Sequence, residues 1–245
     1  HHLFGVKKII TSFRFMKKII VLLLLIGSFQ AQAQLFGRDP IINLENWDKQ
    51  RVYWGYYLGM SSYDFKFEYK NAGEDILVEN GIGFNVGLIG NLRLTEYIDL
   101  RFEPGLTFNQ RDLTFPGFDT EYDALREVKS TYLHFPLLLK FSSLRTGNIR
   151  PFLIGGLSTA LNLSSNAKNA QDNSNNVFRM AKWTNFYEIG IGIDLYLEYF
   201  KFTPSLRGIF SYNDELIRDN DPNSPWTGNV GSMQTRGIFL NFTFQ

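Results

Sequence analysis

A single histidine could do acid–base chemistry in the body of this chain, because the other two histidines are the first two of its 245 residues. This residue, His134, is preceded by Ser130 in the segment STYLHFPLLLKF. A nucleophilic serine needs a base within hydrogen-bond reach and an acid that orients the base. Residues four apart on a strand share a face but lie too far apart for direct contact. The pair therefore predicts no catalytic site, although a serine from a neighbouring strand could still approach His134.

Metal and cofactor chemistry find even less support in the sequence. It has no cysteine, and its histidine, aspartate and glutamate residues show no metal-ligand spacing. Asp214, Asp219 and Asp221 share one polar segment, but they lack the regular alternation of an EF-hand calcium loop. Neither a phosphate-binding loop nor a dinucleotide fingerprint occurs. We therefore expect no catalytic residues, no cofactor-binding residues, no metal ligands and no cofactor.

The remaining reactive side chains are charged residues that alternate with apolar ones. Asp99, Arg101 and Glu103 share one strand face, and Ile98 begins the apolar face opposite. Charges in such a row need water or one another. The full set, with His134 nearby, is Asp99, Arg101, Glu103, Lys140, Glu188, Asp194 and Arg207. We expect these charges to pair inside a narrow lumen, closing it to solutes. A proton path or polar substrate groove is the alternative, which the spacing does not favour.

The first 33 residues have the pattern of an export leader. Met16 is followed by Lys17 and Lys18, then by an apolar run from Ile19 to Gly27, and the segment closes with Ala31-Gln32-Ala33. The run is shorter than the roughly 20 residues that a spanning helix needs. We predict that residues 1–33 comprise upstream residues and a cleaved signal peptide, with the true translation start left open.

Removal of this leader changes the charge. The whole chain has 25 basic and 24 acidic residues. The leader holds five basic residues and no acidic one, so the mature chain carries 20 basic and 24 acidic residues, a net charge of −4. The five are Lys7, Lys8, Arg14, Lys17 and Lys18. This balance gives no reason to expect nucleic acid as a partner.

Period-two alternation continues through the mature chain and predicts strands. Clear runs lie at 81–92, 98–109, 130–141, 185–197, 201–210 and 237–245. Two further runs are less regular. Between Tyr53 and Tyr69 the apolar phase shifts near Ser61 and Ser62, which indicates a bulge or an upper half that stands clear of the membrane. The run from 149 to 163 is apolar on both faces, so its phase is unassigned.

Short and long connections alternate between these runs. Short ones follow Leu92, Ser142 and Leu197, and long polar ones lie at 70–80, 111–128, 164–182 and 213–234. Outer-membrane barrels have short periplasmic turns and long outer loops, and Trp and Tyr gather at their membrane interfaces. The sequence thus predicts an all-β, eight-stranded antiparallel up-and-down transmembrane barrel at 51–245, with a periplasmic arm at 34–50. A soluble sandwich or lipocalin-like barrel is the alternative.

The stretch NLENWDKQRVYWGYYLGMSSYDFKFEY, from Asn43 to Tyr69, resembles the start of PorT-family proteins, called SprT in gliding bacteria. In that family an asparagine–leucine segment and an aspartate precede an aromatic–glycine first strand. Segments 97–108 and 131–158 are similar to the broader family of small outer-membrane barrels around PorT. The resemblance covers nearly the whole mature chain. It implies a non-catalytic component or accessory of type IX secretion, which exports proteins across the outer membrane and supports gliding motility.

The resemblance implies a location in the bacterial outer membrane, with membrane lipid and unidentified secretion-system proteins of the membrane or periplasm as partners. It implies no site residue. The alternatives are a stand-alone barrel for adhesion or envelope integrity and a lipid-modifying enzyme that uses His134. We also predict that the final strand is the assembly signal, because its apolar face ends on Phe244. Otherwise Phe244 belongs to an aromatic girdle.

Overall fold

The computed structural model describes residues 41–245, so the predicted leader (1–33) and the first part of the predicted arm (34–40) lie outside the described residues. Within this range each predicted run overlaps a strand. The strands are β1 (Val52–Tyr69), β2 (Leu77–Asn80), β3 (Ile82–Arg93), β4 (Ile98–Phe102), β5 (Gly105–Thr114), β6 (Leu125–Ser142), β7 (Ile149–Asn162), β8 (Trp183–Tyr196), β9 (Lys201–Ser211) and β10 (Val230–Phe244). The helical elements are α1 (Glu121–Ala124) and 3-10 turns at Trp47–Lys49 and Asn173–Asn175.

The strands form one antiparallel sheet that closes on itself. Sequential neighbours pair from β6 to β10, β10 pairs with β1, and β1 pairs with β3. On the other side, β3 pairs with both β4 and β5, and these two pair with β6. Each strand in this ring therefore has partners on both sides. Closure satisfies the backbone groups that lipid cannot, so the fold is an antiparallel β-barrel of the outer-membrane type.

Two breaks interrupt the strands. One divides a run that the alternation predicts as a single strand, and the other sets off a short strand that the sequence prediction places in a loop. Pro104 separates β4 from β5, because proline has no N–H to donate to the ladder. Its carbonyl still accepts from the Leu88 N–H at 2.9 Å. Gly81 separates β2 from β3, and its N–H donates to the Gln110 carbonyl at 3.0 Å. The hydrogen-bond ladder thus passes both breaks. The structure has ten strand segments where eight strands are predicted, and the count of eight stays a prediction.

The predicted long connections at 70–80 and 111–128 are too long. β2 lies inside the first, β5 continues to Thr114, and β6 begins at Leu125. On these strand ends the outward side chains are mostly polar, while Leu113 and Val128 are buried inside together with Arg111 and Arg126. We call this part, beyond Ser62 on β1 and Asn109 on β5, the head. Because its outer residues are polar, the sequence of the head resembles that of loops.

The irregular pattern of β1 has the same cause. Its pairing with β10 runs without a shift from Tyr56 to Glu68, so the bulge predicted near Ser61–Ser62 is wrong. The shift in register lies instead between Glu68 and Tyr69. Tyr63 and Phe65 point inward while the outward positions become polar. This agrees with the other interpretation, an upper half that stands clear of the membrane.

The structure also assigns the phase of β7. Ile149, Leu153 and Leu157 are exposed on the outer face, whereas Phe152 and Ile154 are buried inside. The inner pair packs with Leu138 of β6 in a small apolar cluster within the lumen. Polar and apolar residues do not alternate there because the lumen and the lipid are both apolar at this height of the barrel.

An apolar belt surrounds the barrel between the turns and the head. Its exposed side chains include Leu58, Leu88, Leu137, Ile191, Leu206 and Ile238. The belt ends at the head, where Arg236 of β10 pairs with Asp64 of β1 at 2.5 Å. Among residues 41–245, no helix has the length and apolar character needed to cross a membrane.

Candidate functional site: the lumen and its two ends

The predicted inward charges do meet in the lumen. All seven are at most 6% exposed. Arg207 of β9 donates to Glu188 of the adjacent β8 at 2.8 Å and to Glu103, at the β4–β5 break, at 2.5 Å. Arg101 pairs with Glu103 at 2.5 Å. These four residues, which we call the central network, bridge strands that are not neighbours in the ring. The predicted pairing is confirmed for six of the seven charges, since Lys140 also pairs with Asp194, whereas Asp99 has no ion pair within the described residues.

A second group of charges lies closer to the short turns. Lys140 Nζ contacts Asp194 Oδ2 at 2.5 Å, and Thr203 donates to Asp194 Oδ1 at 2.7 Å. The Tyr53 hydroxyl donates to Asp99 Oδ2 at 2.8 Å. This group also includes a cation that the charge pattern did not single out. Lys201 is buried with its ammonium 4.4 Å from the centre of the Tyr53 ring.

His134 meets a serine, but not the one on its own strand. Its Nε2 lies 2.9 Å from Ser158 Oγ of β7 and 3.0 Å from Glu188 Oε1 of β8. Ser130 instead accepts a hydrogen bond from Arg111. In a Ser–His–acid triad the hydroxyl and the carboxylate contact different ring nitrogens. Here both face Nε2, and all three side chains are buried, so the cluster has the geometry of a packed polar contact.

An apolar layer closes the lumen above these charges. It consists of Tyr63, Tyr132, Ala160, Phe186, Ile209 and Phe239. Arg111 donates to the Tyr132 hydroxyl of this layer at 3.3 Å, to Thr235 at 3.1 Å and to Ser130 at 3.0 Å, and its guanidinium lies 3.7 Å from the centre of the Phe65 ring. Sequence reasoning missed Arg111 because it was assigned to a loop. Continuing the inward phase of β5 past Asn109 would have found it.

The head above this layer has its own apolar core, formed by residues such as Leu113, Phe115, Met180 and Met233. Glu215 is buried beside it and accepts from the Thr235 N–H at 2.7 Å. Burial raises the pKa of this carboxyl above its ordinary value. The packed core and the buried carboxyl leave the head end filled.

Hydrogen bonds join the long connections over the head. Asp172 accepts from Ser174 Oγ at 2.6 Å and from the Asn220 N–H at 2.9 Å. These bonds, the first of them above all, hold the pKa of Asp172 below its ordinary value. Asp219, a residue considered for calcium, accepts from Ser224, Thr227 and Asn173. No metal-binding group of three ligands occurs in the described part of the chain.

Residues 42–50 of the arm cover the opposite end, which we call the turn end. Asp48 of its 3-10 turn accepts from the Tyr196 hydroxyl at 2.5 Å and lies 3.3 Å from Arg150 Nη1 and 3.5 Å from Arg145 Nη1. The Asn43 N–H donates to Asn148 Oδ1 at 2.9 Å. The arm is thus attached to β7, to β8 and to the turn between β6 and β7.

Three further contacts hold the arm in place. Arg93, at the end of β3, donates to the Asp48 carbonyl, and Arg145 donates to the Asn43 carbonyl. Trp47 packs edge-on against Tyr53, with ring centres 6.2 Å apart. The sequence predicts an arm here, but neither a periodic pattern nor a motif in the sequence indicates that the arm folds back over the barrel.

Comparisons with solved structures find outer-membrane barrels of low similarity. OprG from Pseudomonas aeruginosa is 16% identical, with 79% of this chain and 93% of that chain covered and a TM-score of 0.39. AlkL is 13% identical, with 78% and 87% covered and a TM-score of 0.41. The outer membrane enzyme PagL is 10% identical, with 77% and 98% covered and a TM-score of 0.35. At this similarity no function is carried over from any of them.

The family comparison is more informative. Among curated proteins, none matches the chain in sequence. A family model described as the outer membrane protein beta-barrel domain matches residues 30–216, which is most of the chain and most of the ring of strands. The closed sheet and the apolar belt agree with that match. The chain therefore belongs to the outer membrane protein β-barrel domain family and is a protein of the bacterial outer membrane.

Proposed function

We propose that this barrel is a non-catalytic component or accessory of the type IX secretion and gliding motility machinery. The proposal rests on the resemblance of Asn43–Tyr69 to the start of PorT-family proteins. One structural observation supports a functional role for that segment. Its first residues are the arm, which is bound to the turn end through Asp48 and Asn43. A bound arm gives this end a defined surface, which another protein of the machinery can recognise.

The packed lumen supports a role through surfaces instead of passage. The central network, the apolar layer and the core of the head follow one another along the axis. Interiors of about eight strands are just wide enough for side chains to fill. We therefore propose that secreted proteins do not pass through this barrel. Purified protein in planar bilayers should show no steady large conductance, and a stable porin-like channel would contradict this.

The strand count and the orientation belong to the same proposal. Counting β2 with β3 and β4 with β5 gives eight strands, because the ladder passes both breaks at Gly81 and Pro104. Outer-membrane barrels have short turns in the periplasm and long loops outside. We place the turn end, with the arm, in the periplasm and the head outside the cell. Its partners are then membrane lipid and secretion-system proteins that reach the periplasmic end.

Deletion of the gene tests the function. Loss of secreted cargo from the medium, restored by the wild-type gene, is the expected result, and normal secretion would refute the proposal. A second comparison tests the arm. Asp48→Ala should restore secretion less well than Glu45→Ala at equal barrel levels, because Glu45 is an exposed arm residue outside the Asp48 contacts.

The enzymatic alternative has one observation in its favour, the contact of His134 with Ser158 and Glu188. We propose a non-catalytic protein because both partners face the same ring nitrogen in a filled lumen. His134→Ala should leave the lipid A of the cells unchanged. A change in lipid A acylation in that variant would favour the enzyme instead. A deletion strain that secretes normally but adheres poorly would favour the stand-alone adhesion barrel.

A further inference from the structure

A cleft opens on the side of the head, between α1, the start of β6 and the connection from β7 to β8. Its volume is about 500 Å³. Pockets of several hundred cubic ångströms hold small ligands, with an apolar floor and a few polar groups that fix orientation. This cleft lies away from the lumen and from the arm, and the proposed secretion role does not use it.

The floor of the cleft is rigid. Val128, Phe178 and Met180 line it, and all three belong to the buried core of the head. Arg126 forms part of the wall, where it donates to the Asn173 side chain at 3.2 Å, the Asn173 carbonyl at 2.8 Å and the Tyr122 carbonyl at 3.0 Å. These bonds tie the strand β6 to both α1 and the 3-10 turn at Asn173–Asn175. The cleft is therefore preformed and does not need a ligand to hold it open.

The rim of the cleft carries polar groups that the chain itself does not use. Among the described residues, the side chains of Glu121, Tyr122, Ser164 and Asn176 line the cleft and have no hydrogen-bond partner. Together they offer two hydroxyls, one amide and one carboxylate, which are both donors and acceptors. The Tyr122 ring is 75% exposed, so its face is free as well.

The four charged side chains of the cleft, Glu121, Arg126, Glu127 and Lys129, sum to zero. Glu127 and Lys129 on its rim form an exposed pair at 3.5 Å. The guanidinium of Arg126 is occupied by the carbonyls and amide described above. No cation is left to select a phosphate or a carboxylate, so an anionic ligand has no specific partner here. A neutral ligand that combines hydroxyls with an apolar face fits the free groups best.

We infer that the cleft binds a neutral sugar unit of a glycan. A pyranose ring presents C–H groups on one face, which can pack on Tyr122, and hydroxyls at its rim, which can reach Ser164, Asn176 and Glu121. The position on the head agrees with this, since the head carries the long loops that face outward in this class of barrel. The glycan is either the polysaccharide of the surrounding outer leaflet or a soluble one, because both present the same chemistry.

Saturation-transfer NMR on the refolded full chain tests the inference. The detergent must contain no sugar, so an amine oxide replaces maltosides and glucosides. The probes are cellobiose, N,N′-diacetylchitobiose, delipidated polysaccharide from the bacterium's own outer leaflet, and an uncharged peptide. Wild-type protein should bind at least one of the neutral sugars. Binding by the delipidated polysaccharide alone assigns the site to the outer leaflet, and binding by the disaccharides assigns it to soluble glycans.

Matched variants locate the site. Tyr122→Ala should weaken sugar binding at least about tenfold. Asn176→Gly should do the same, and glycine keeps the left-handed backbone of this residue, whose φ is 60°. Tyr199→Ala is the control, because Tyr199 is a tyrosine of similar exposure (83%) between β8 and β9 at the turn end. Absence of sugar binding, equal binding by Tyr122→Ala, or Tyr122-dependent binding of the peptide alone would overturn the inference.

Discussion

Removal of Arg207 should be the most damaging single change in the lumen. The guanidinium neutralises Glu103 and Glu188 at 2.5 and 2.8 Å. Arg207→Met keeps most of the side-chain volume but removes both ion pairs. Glu103 retains its ion pair with Arg101 at 2.5 Å, whereas Glu188 retains only the contact with His134 at 3.0 Å and a hydrogen bond from Ser158. Since breaking a buried pair leaves an uncompensated charge, we expect a loss of about 3–5 kcal/mol in the free energy of unfolding.

A surface ion pair as short as the Arg207–Glu103 pair gives the matched control. Arg236 contacts Asp64 at 2.5 Å, but its side chain is 55% exposed at the edge of the head. Arg236→Met should therefore cost no more than about 1 kcal/mol. Urea titration of the refolded variants in lipid vesicles, followed by tryptophan fluorescence, measures both losses.

A second substitution tests the reason for the loss. In the Arg207→Met background, Glu188→Gln removes the carboxylate that lacks a cation, so a large part of the stability should return. The reasoning is refuted if Arg207→Met costs no more than Arg236→Met. It is also refuted if Glu188→Gln lowers stability further, because the loss would then come from packing and not from charge.

Four further predictions address the belt, the arm, the final strand and the long connections. Ile191→Arg, on an outward side chain that is 57% exposed, should cost about 2–4 kcal/mol in vesicles, and tolerance would argue against lipid at this face. Asp48→Ala should release the arm, so that trypsin cleaves after the adjacent lysine faster than in Glu45→Ala, and equal rates would contradict a bound arm. Phe244→Ala keeps every backbone bond, so inserted protein should fall sharply in cells while refolding in detergent stays nearly normal; normal insertion would end the assembly-signal hypothesis. The pKa of Asp172 is lower in the folded protein, so this carboxylate stabilises the long connections above its unfolded pKa of about 3.9, and the stabilisation is lost as the pH falls further. Limited proteolysis should therefore cut the connections faster in acid in the wild-type protein but not in Asp172→Asn.

The inward charges could be predicted because lipid and lumen differ in polarity, which imposes a period of two. Asp99, Arg101 and Glu103 are buried as expected for that reason. The pattern becomes ambiguous where this difference vanishes. At Phe152 and Ile154 the lumen is itself apolar, and in the head the inside is apolar while the outside faces water. Alternation shows that two faces differ, but it does not show which face is inside.

The sequence could not predict which side chains contact one another across the lumen. Alternation places Glu103 and Arg207 on inner faces, but only the closed ring brings β9 opposite the β4–β5 break. His134 shows the same limit. The sequence offered Ser130 on the same strand, and the register between β6 and β7 supplied Ser158 instead. The binding of Asp48 to Tyr196 has no local cause either, since 148 positions separate the two residues.

The arm has a consequence for the order of events during assembly. It directly precedes β1, yet its hydrogen bonds to β7, to β8 and to the turn between β6 and β7 reach residues 101 to 153 positions further along the chain. Contacts so distant in sequence form late, after the intervening strands have paired. β1 itself finds β10 only when the last strand is present. Attachment of Asp48 to Tyr196 therefore requires that the chain has folded as far as the end of β8, so a protein that recognises the attached arm would ignore earlier intermediates.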